Sequence, residues 1–151
     1  MNSSATNRVS YTLDSTLESV NRAEKKALEM AVKSGFGDDC QHNIAMAVRE
    51  AAVNAVLHGN AYDPLKKFIV AYEITPQALV ITITDQGRGL DPEDIPDPLS
   101  PENLMKNSGR GIFLIRAFMD EVKIRNLNPG TEITLIKNVG RKAVNAEEEV
   151  Q

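Results

Sequence analysis

The first apolar positions, Val9, Tyr11 and Leu13, alternate with Arg8, Ser10 and Thr12. That two-residue period is the mark of a half-buried strand over 8–13. The spacing then changes. Leu17, Val20, Ala23, Ala27, Met30 and Ala31 recur near every 3.6 residues and predict a helix. Asp14 or Ser15 can cap it, with Glu18 placed to close a capping box from Ser15. Gly35 and Gly37 end it. A second helix begins near Asp38 or Asp39. Its wide apolar stripe is Ile44, Ala47, Val48, Ala51, Ala52, Ala55 and Val56, and Gly59-Asn60 stops it. Two β-rich runs follow, 68–74 and 78–84, separated by Thr75-Pro76 as in an antiparallel hairpin.

The pattern breaks from Asp85 to Gly111. Four prolines (92, 96, 98, 101) and four glycines (87, 89, 109, 111) fall there, and so long an irregular stretch inside a domain reads as a functional loop or lid. Periodicity returns with a helix over 112–119. Strands over 121–125 and 131–137 follow, joined by Asn128-Pro129-Gly130. The expected architecture is α+β: a two-layer sandwich, with a mostly antiparallel mixed sheet and helices packed on one face. Residues 8–138 form one domain. Residues 1–7 are expected to be a flexible N-terminus and 139–151 a flexible polar tail.

Composition narrows the classes. At 151 residues the chain is long enough to bury a core without staples. One cysteine, Cys40, allows no internal disulfide, and no Cys/His cluster has zinc spacing. No apolar run reaches the roughly 20 residues of a membrane span, and no secretory h-region is present. A reducing cytoplasm fits these features. Seventeen basic residues against 21 acidic ones give a net charge of −4, and tryptophan is absent. Neither feature suits a nucleic-acid binder, and neither points to a membrane partner.

Four groups of residues carry candidate chemistry. Glu50, Asn54 and His58 fall at i, i+4 and i+8 of the second helix, near one edge. A mid-helix Asn is unfavourable without a reason. A carboxylate and an amide oxygen one turn apart suit a hydrated hard cation such as Mg²⁺, or the polarising of a hydroxyl. Asp85-x-Gly87-x-Gly89 follows an apolar strand, where an Asp can accept from an exocyclic amine and the glycines allow close backbone approach. Gly109-Arg110-Gly111 opens a helix, a natural phosphate seat. Thr131 opens the last strand within reach of a bound base. Taken singly, these also fit a solvated helix edge, a turn, a helix entry and a good strand former. His42 and Cys40 lie outside every group.

In order, Glu50-x-x-x-Asn54, Asp85-x-Gly87-x-Gly89, Gly109-x-Gly111 and Gly130-Thr131 resemble the boxes of the GHKL ATPase superfamily, whose domain is the Bergerat ATP-binding fold. The resemblance is nearer to the bacterial anti-sigma-factor serine/threonine kinases. It is carried by Ala47-Val-Arg-Glu-Ala-Ala-Val-Asn-Ala-Val-Leu-His-Gly-Asn60 and by Ser108-Gly-Arg-Gly-Ile-Phe-Leu-Ile-Arg-Ala-Phe-Met-Asp-Glu-Val122. It implies ATP and Mg²⁺ as cofactors and a role for each residue. Asn54 holds the metal and Glu50 is the general base. Asp85, helped by Thr131, binds the adenine amine, and Gly87 and Gly89 let the chain pass close to the nucleotide. Gly109, Arg110 and Gly111 face the phosphates, with 91–108 as a lid. The implied partners are a STAS-type anti-anti-sigma protein, phosphorylated on serine, and a sigma factor, with a homodimer as a further expectation. A nucleotide-gated binding module without kinase activity is the alternative. The given length leaves no room for the extra domains of gyrases, chaperones or histidine kinases.

Overall fold

The computed structural model describes residues 7–87, 107–127 and 129–139, with residues 107–111 described by their backbone alone. In order, these form β1 (Asn7–Asp14), α1 (Leu17–Lys33), α2 (Asp38–Val53), a π-helical turn (Asn54–Gly59), β2 (Lys67–Ile74), β3 (Ala78–Thr84), α3 (Asn107–Phe118), β4 (Glu121–Asn126) and β5 (Thr131–Asn138). The strands make one sheet in the order β1-β2-β3-β5-β4. Every ladder is antiparallel, so the sheet is not mixed as expected.

The register explains the burial. Val9, Tyr72, Ile81, Leu135 and Val122 line up across all five strands, and so do Tyr11, Val70, Ile83, Ile133 and Ile124. These rows put the apolar half of each alternating strand on one face, because successive side chains point to opposite sides. The helices cover that face. Their contributions are mostly small: Ala23, Ala27 and Ala31 from α1, and Ala47, Ala51 and Ala52 from α2, all buried. Ile112, Ile115 and Met119 seat α3 in the same core. The chief helix contacts run from α1 to α2 and from α2 to α3, so α2 is the middle helix.

Polar groups fix the layers on each other. Tyr72 is fully buried and its hydroxyl donates to the Ala23 carbonyl of α1 at 2.8 Å. Tyr11 meets the Tyr72 ring edge-on at 6.2 Å. Arg49 of α2 donates to Asn21 at 2.8 Å and to Glu24 at 2.9 Å, both on α1.

Three predicted details change. The cap of α1 is Thr16, whose Oγ1 accepts from the Ser19 amide at 3.1 Å. The Ser15–Glu18 capping box does not form, because Ser15 is drawn away to donate to the Lys66 carbonyl at 2.7 Å. The second helix does not run to Gly59 as one α-helix; from Asn54 it widens into the π turn. Finally, α3 starts at Asn107 rather than Ile112, so Gly109, Arg110 and Gly111 lie within its opening turns rather than ahead of it. The 1–6 and 140–151 ends, Gly89 and the proline-bearing 91–106 stretch lie outside the described residues.

Candidate nucleotide site

Asp85 sits where β3 ends beside the start of β5. It is buried, with 8% of its surface exposed. Its Oδ1 accepts two backbone N–H groups, from Gly87 at 2.9 Å and from Thr131 at 3.2 Å. Its own amide donates to the Thr131 carbonyl at 3.0 Å. Burial pushes the carboxyl pKa up, and those two N–H donors work against the rise. One oxygen is therefore occupied by the fold. The other, Oδ2, lies against Gly59.

Three glycines make this packing possible. A Cβ on Gly59 would overlap the Asp85 carboxylate, and one on Gly87 would overlap the Gly59 carbonyl. Gly130 has φ of +100°, and a Cβ there would run into the Asp85 carbonyl. Only glycine lets the three chain segments meet at backbone distance. The structure thus brings together Asp85, Gly87 and Thr131 of the expected site. It adds Gly59, which the sequence shows as a helix stop, and gives Gly130, part of the Gly130-Thr131 motif, its packing role.

The other expected residues belong to α2 and its extension. Glu50 lies in the last α-helical turn and Asn54 is the first residue of the π turn; both are half-buried. Neither side chain makes a hydrogen bond or ion pair among the described residues. Polar groups without partners among the described residues suit a ligand, and a carboxylate with an amide oxygen suits a hydrated Mg²⁺. In the π turn the backbone bonds skip to i+5, as in Asn60 N–H to Ala55 O at 2.7 Å. The i+4 spacing from Asn54 therefore no longer stacks His58 above it, and His58 is exposed. The π turn ends the helical run, and π-helical turns are rare and recur at functional sites.

The turn after it is strained. Ala61 and Tyr62 take φ of 52° and 57°, the left-handed region that L residues enter at a cost. Tyr62 N–H to Val56 O at 2.9 Å and Asp63 N–H to Asn60 O at 3.0 Å hold it. Asn60 is the buried polar residue that the sequence reading missed, because Gly-Asn after a helix reads as an ordinary stop. It is 1% exposed. Its Nδ2 donates to Ser15 Oγ and to the Lys67 carbonyl, each at 2.9 Å, while Oδ1 accepts the Gln86 amide at 2.8 Å.

A concavity of about 340 Å³ lies away from these residues, at the β1 edge between the sheet and α1, lined by Tyr11, Leu13, Arg22, Lys25, Lys26 and Tyr72 among others. No three His, Cys, Asp or Glu side chains converge as a metal cage among the described residues.

The arrangement is one of helices over one face of an antiparallel sheet, with an acid buried among glycines at a strand end. Residues 13–137 match the model of the histidine kinase-like ATPase domain. The serine-protein kinase RsbW of Bacillus licheniformis is 30% identical over 121 residues, covering 76% of this chain and 75% of that protein. The anti-sigma F factor of Anoxybacillus flavithermus is 36% identical over 101 residues, 64% of this chain and 68% of its own. Among solved structures, the RsbU and RsbW domains of a Mycobacterium tuberculosis protein superpose with a TM-score of 0.63 at 22% identity. That match covers 87% of this chain but 32% of the longer one. A mycobacterial sensor histidine kinase gives a TM-score of 0.53 at 17% identity, covering 85% and 97%. The chain belongs to the histidine kinase-like ATPase family, on its branch of serine-protein kinases and anti-sigma factors.

Proposed function

We propose that this anti-sigma serine-protein kinase transfers the γ-phosphate of ATP to a serine of a STAS-type anti-anti-sigma protein, and that it also sequesters a sigma factor, in the cytoplasm. The observation that carries the reading is the pairing of two chemically unlike ends on one helical run. Its far end, Gly59, packs on buried Asp85, whose remaining oxygen suits the adenine amine. Its near end presents Glu50 and Asn54 without partners among the described residues.

In this reading Asp85 and Thr131 hold the base, with Gly87 and Gly89 beside it. Asn54 holds Mg²⁺, which when bound neutralises phosphate charge. Gly109, Arg110 and Gly111 face the phosphates from the start of α3, where unpaired backbone N–H groups favour anions. Glu50 takes the proton of the serine hydroxyl as its oxygen bonds to the γ-phosphorus. The bond to the β–γ bridging oxygen breaks and ADP leaves. Phosphoryl transfer asks mainly for positioning and charge neutralisation, which these groups supply.

A cytoplasmic site accords with the absence of any helix long and apolar enough to cross a membrane among the described residues. A homodimer is part of the same proposal. The test is incubation with radiolabelled ATP, Mg²⁺ and purified STAS-domain proteins. Label on a serine, lost in Glu50→Gln while ATP still binds, is the expected result. A nucleotide-dependent complex that never acquires label would instead make the chain a gated binding module.

A further inference from the structure

We infer that Asn60 is a positioning residue for adenine recognition, an inference that rests on the reading of Asp85 given above. Three separate pieces of chain converge on this one side chain. Ser15 comes from the exit of β1 and Lys67 from the start of β2. Gln86 lies between Asp85 and Gly87, and Asn60 itself closes the π turn. The bonds around it are reciprocal. Ser15 Oγ accepts from Asn60 and donates to the Lys66 carbonyl at 2.7 Å, and Gln86 Oε1 accepts the Lys67 amide at 2.7 Å. Asn60 uses both amide hydrogens and one acceptor position of its oxygen, three bonds that fix which way the side chain faces.

What it orients is the acid. The peptide unit just before Asn60 belongs to Gly59, which packs against the Asp85 carboxylate and, through its carbonyl, against Gly87. Asn60 therefore clamps the 85–87 backbone onto the end of the helical run from one side. The Gly87 and Thr131 amides fix Asp85 Oδ1 from the other. Oδ2, beside Gly59, accepts from neither amide. A hydrogen bond weakens steeply when donor and acceptor lose alignment. A loosened 85–87 turn then costs amine recognition specifically, beyond any loss of fold stability. The same clamp sets Asp85 against the helical run that carries Glu50 and Asn54, so the base end and the phosphate end of one nucleotide stay in register.

The experiment compares the affinities of ATP and purine riboside triphosphate, which lacks the exocyclic amine, by calorimetry with Mg²⁺. The proteins are wild type, Asp85→Asn and Asn60→Ala, with folding followed by circular dichroism. Wild type should prefer ATP by about tenfold or more, because a site built for a donor penalises the analogue lacking it. Asp85→Asn should remove that preference. Asn60→Ala should shrink it to about threefold or less while the protein remains folded at the assay temperature. Should Asn60→Ala not fold, Ser15→Ala, which removes one of the three bonds, carries the same test with an intermediate ratio expected. A folded Asn60 variant that binds both nucleotides more weakly by one common factor, or binds both as wild type does, overturns the inference and leaves the Asp85 reading intact. Wild type showing no preference overturns both.

Discussion

At the scale of the single residue, the site is built on backbone approaches that side chains would prevent. Gly87→Ala places a methyl on the Gly59 carbonyl, a backbone atom that cannot swing aside. We expect that substitution to abolish ATP binding in calorimetry and to lower thermal stability together. Asp85 gives a pH dependence with a definite sign. Its folded-state pKa lies above the ordinary 3.8 because burial disfavours the charge. Its contribution to stability is therefore full below the unfolded value and is lost as pH rises through the raised folded one. In the proposed site the ionised form is the one that would accept the adenine amine. Acidification through the raised pKa should thus weaken ATP binding while relieving the fold of a buried charge, and Asp85→Asn should flatten both trends. Calorimetric affinity and melting temperature across an acid-to-neutral series check this. The exposed Lys67–Asp14 pair contrasts with it, since hydrogen bonding to Lys67 lowers the Asp14 pKa in full solvent, where such pairs contribute little.

At the scale of the element, most of the fold was legible because each segment repeats its own period. Phe68, Val70 and Tyr72 alternate inward, and Val20, Ala23, Ala27 and Met30 follow the helical turn, so strand and helix types could be read directly. What escaped has physical causes. Asp14, Ser15 and Thr16 can all cap a helix, and only the distant Lys66 carbonyl decides that Ser15 is engaged elsewhere. Six residues of π turn are too few to leave a period of their own. Gly109 and Gly111 read as loop, yet they lie within α3. Of the candidate site, the Asp85 group was legible from its motif, whereas Asn60 gained its meaning only from three partners scattered along the chain. Two substitutions test the elements themselves. Thr16→Ala should cost about 1 kcal/mol by chemical denaturation, since it removes the cap of α1. Ile81→Ala, in the central row of the sheet, should cost about 2–5 kcal/mol through the cavity it leaves.

At the scale of the whole molecule, the nucleotide reading predicts coupling between ligand and fold. Mg-ATP at about 100 times its dissociation constant should raise stability by about 2.7 kcal/mol, seen as a higher melting temperature. Asn54→Ala should lose that gain in the presence of Mg²⁺. A switch between the two proposed partners would require each to bind the ATP and ADP forms with different affinity, because a ligand shifts an equilibrium only by its differential binding. Pull-downs with each nucleotide and each partner measure that difference.

The strand order has a consequence for how the molecule assembles. The β1-β2-β3 unit with α1 and α2 comes from the first part of the chain, and the β4–β5 hairpin with α3 from the last. Within the sheet the two join along a single seam, β3 against β5. Closing that seam pairs strands far apart in the sequence, which makes it slow to form. Asp85 and Thr131 are bonded at its end. An adenine nucleotide bound as proposed would act as a clasp across two halves that come from opposite ends of the polypeptide, and its main kinetic signature should be slower unfolding, with refolding little changed.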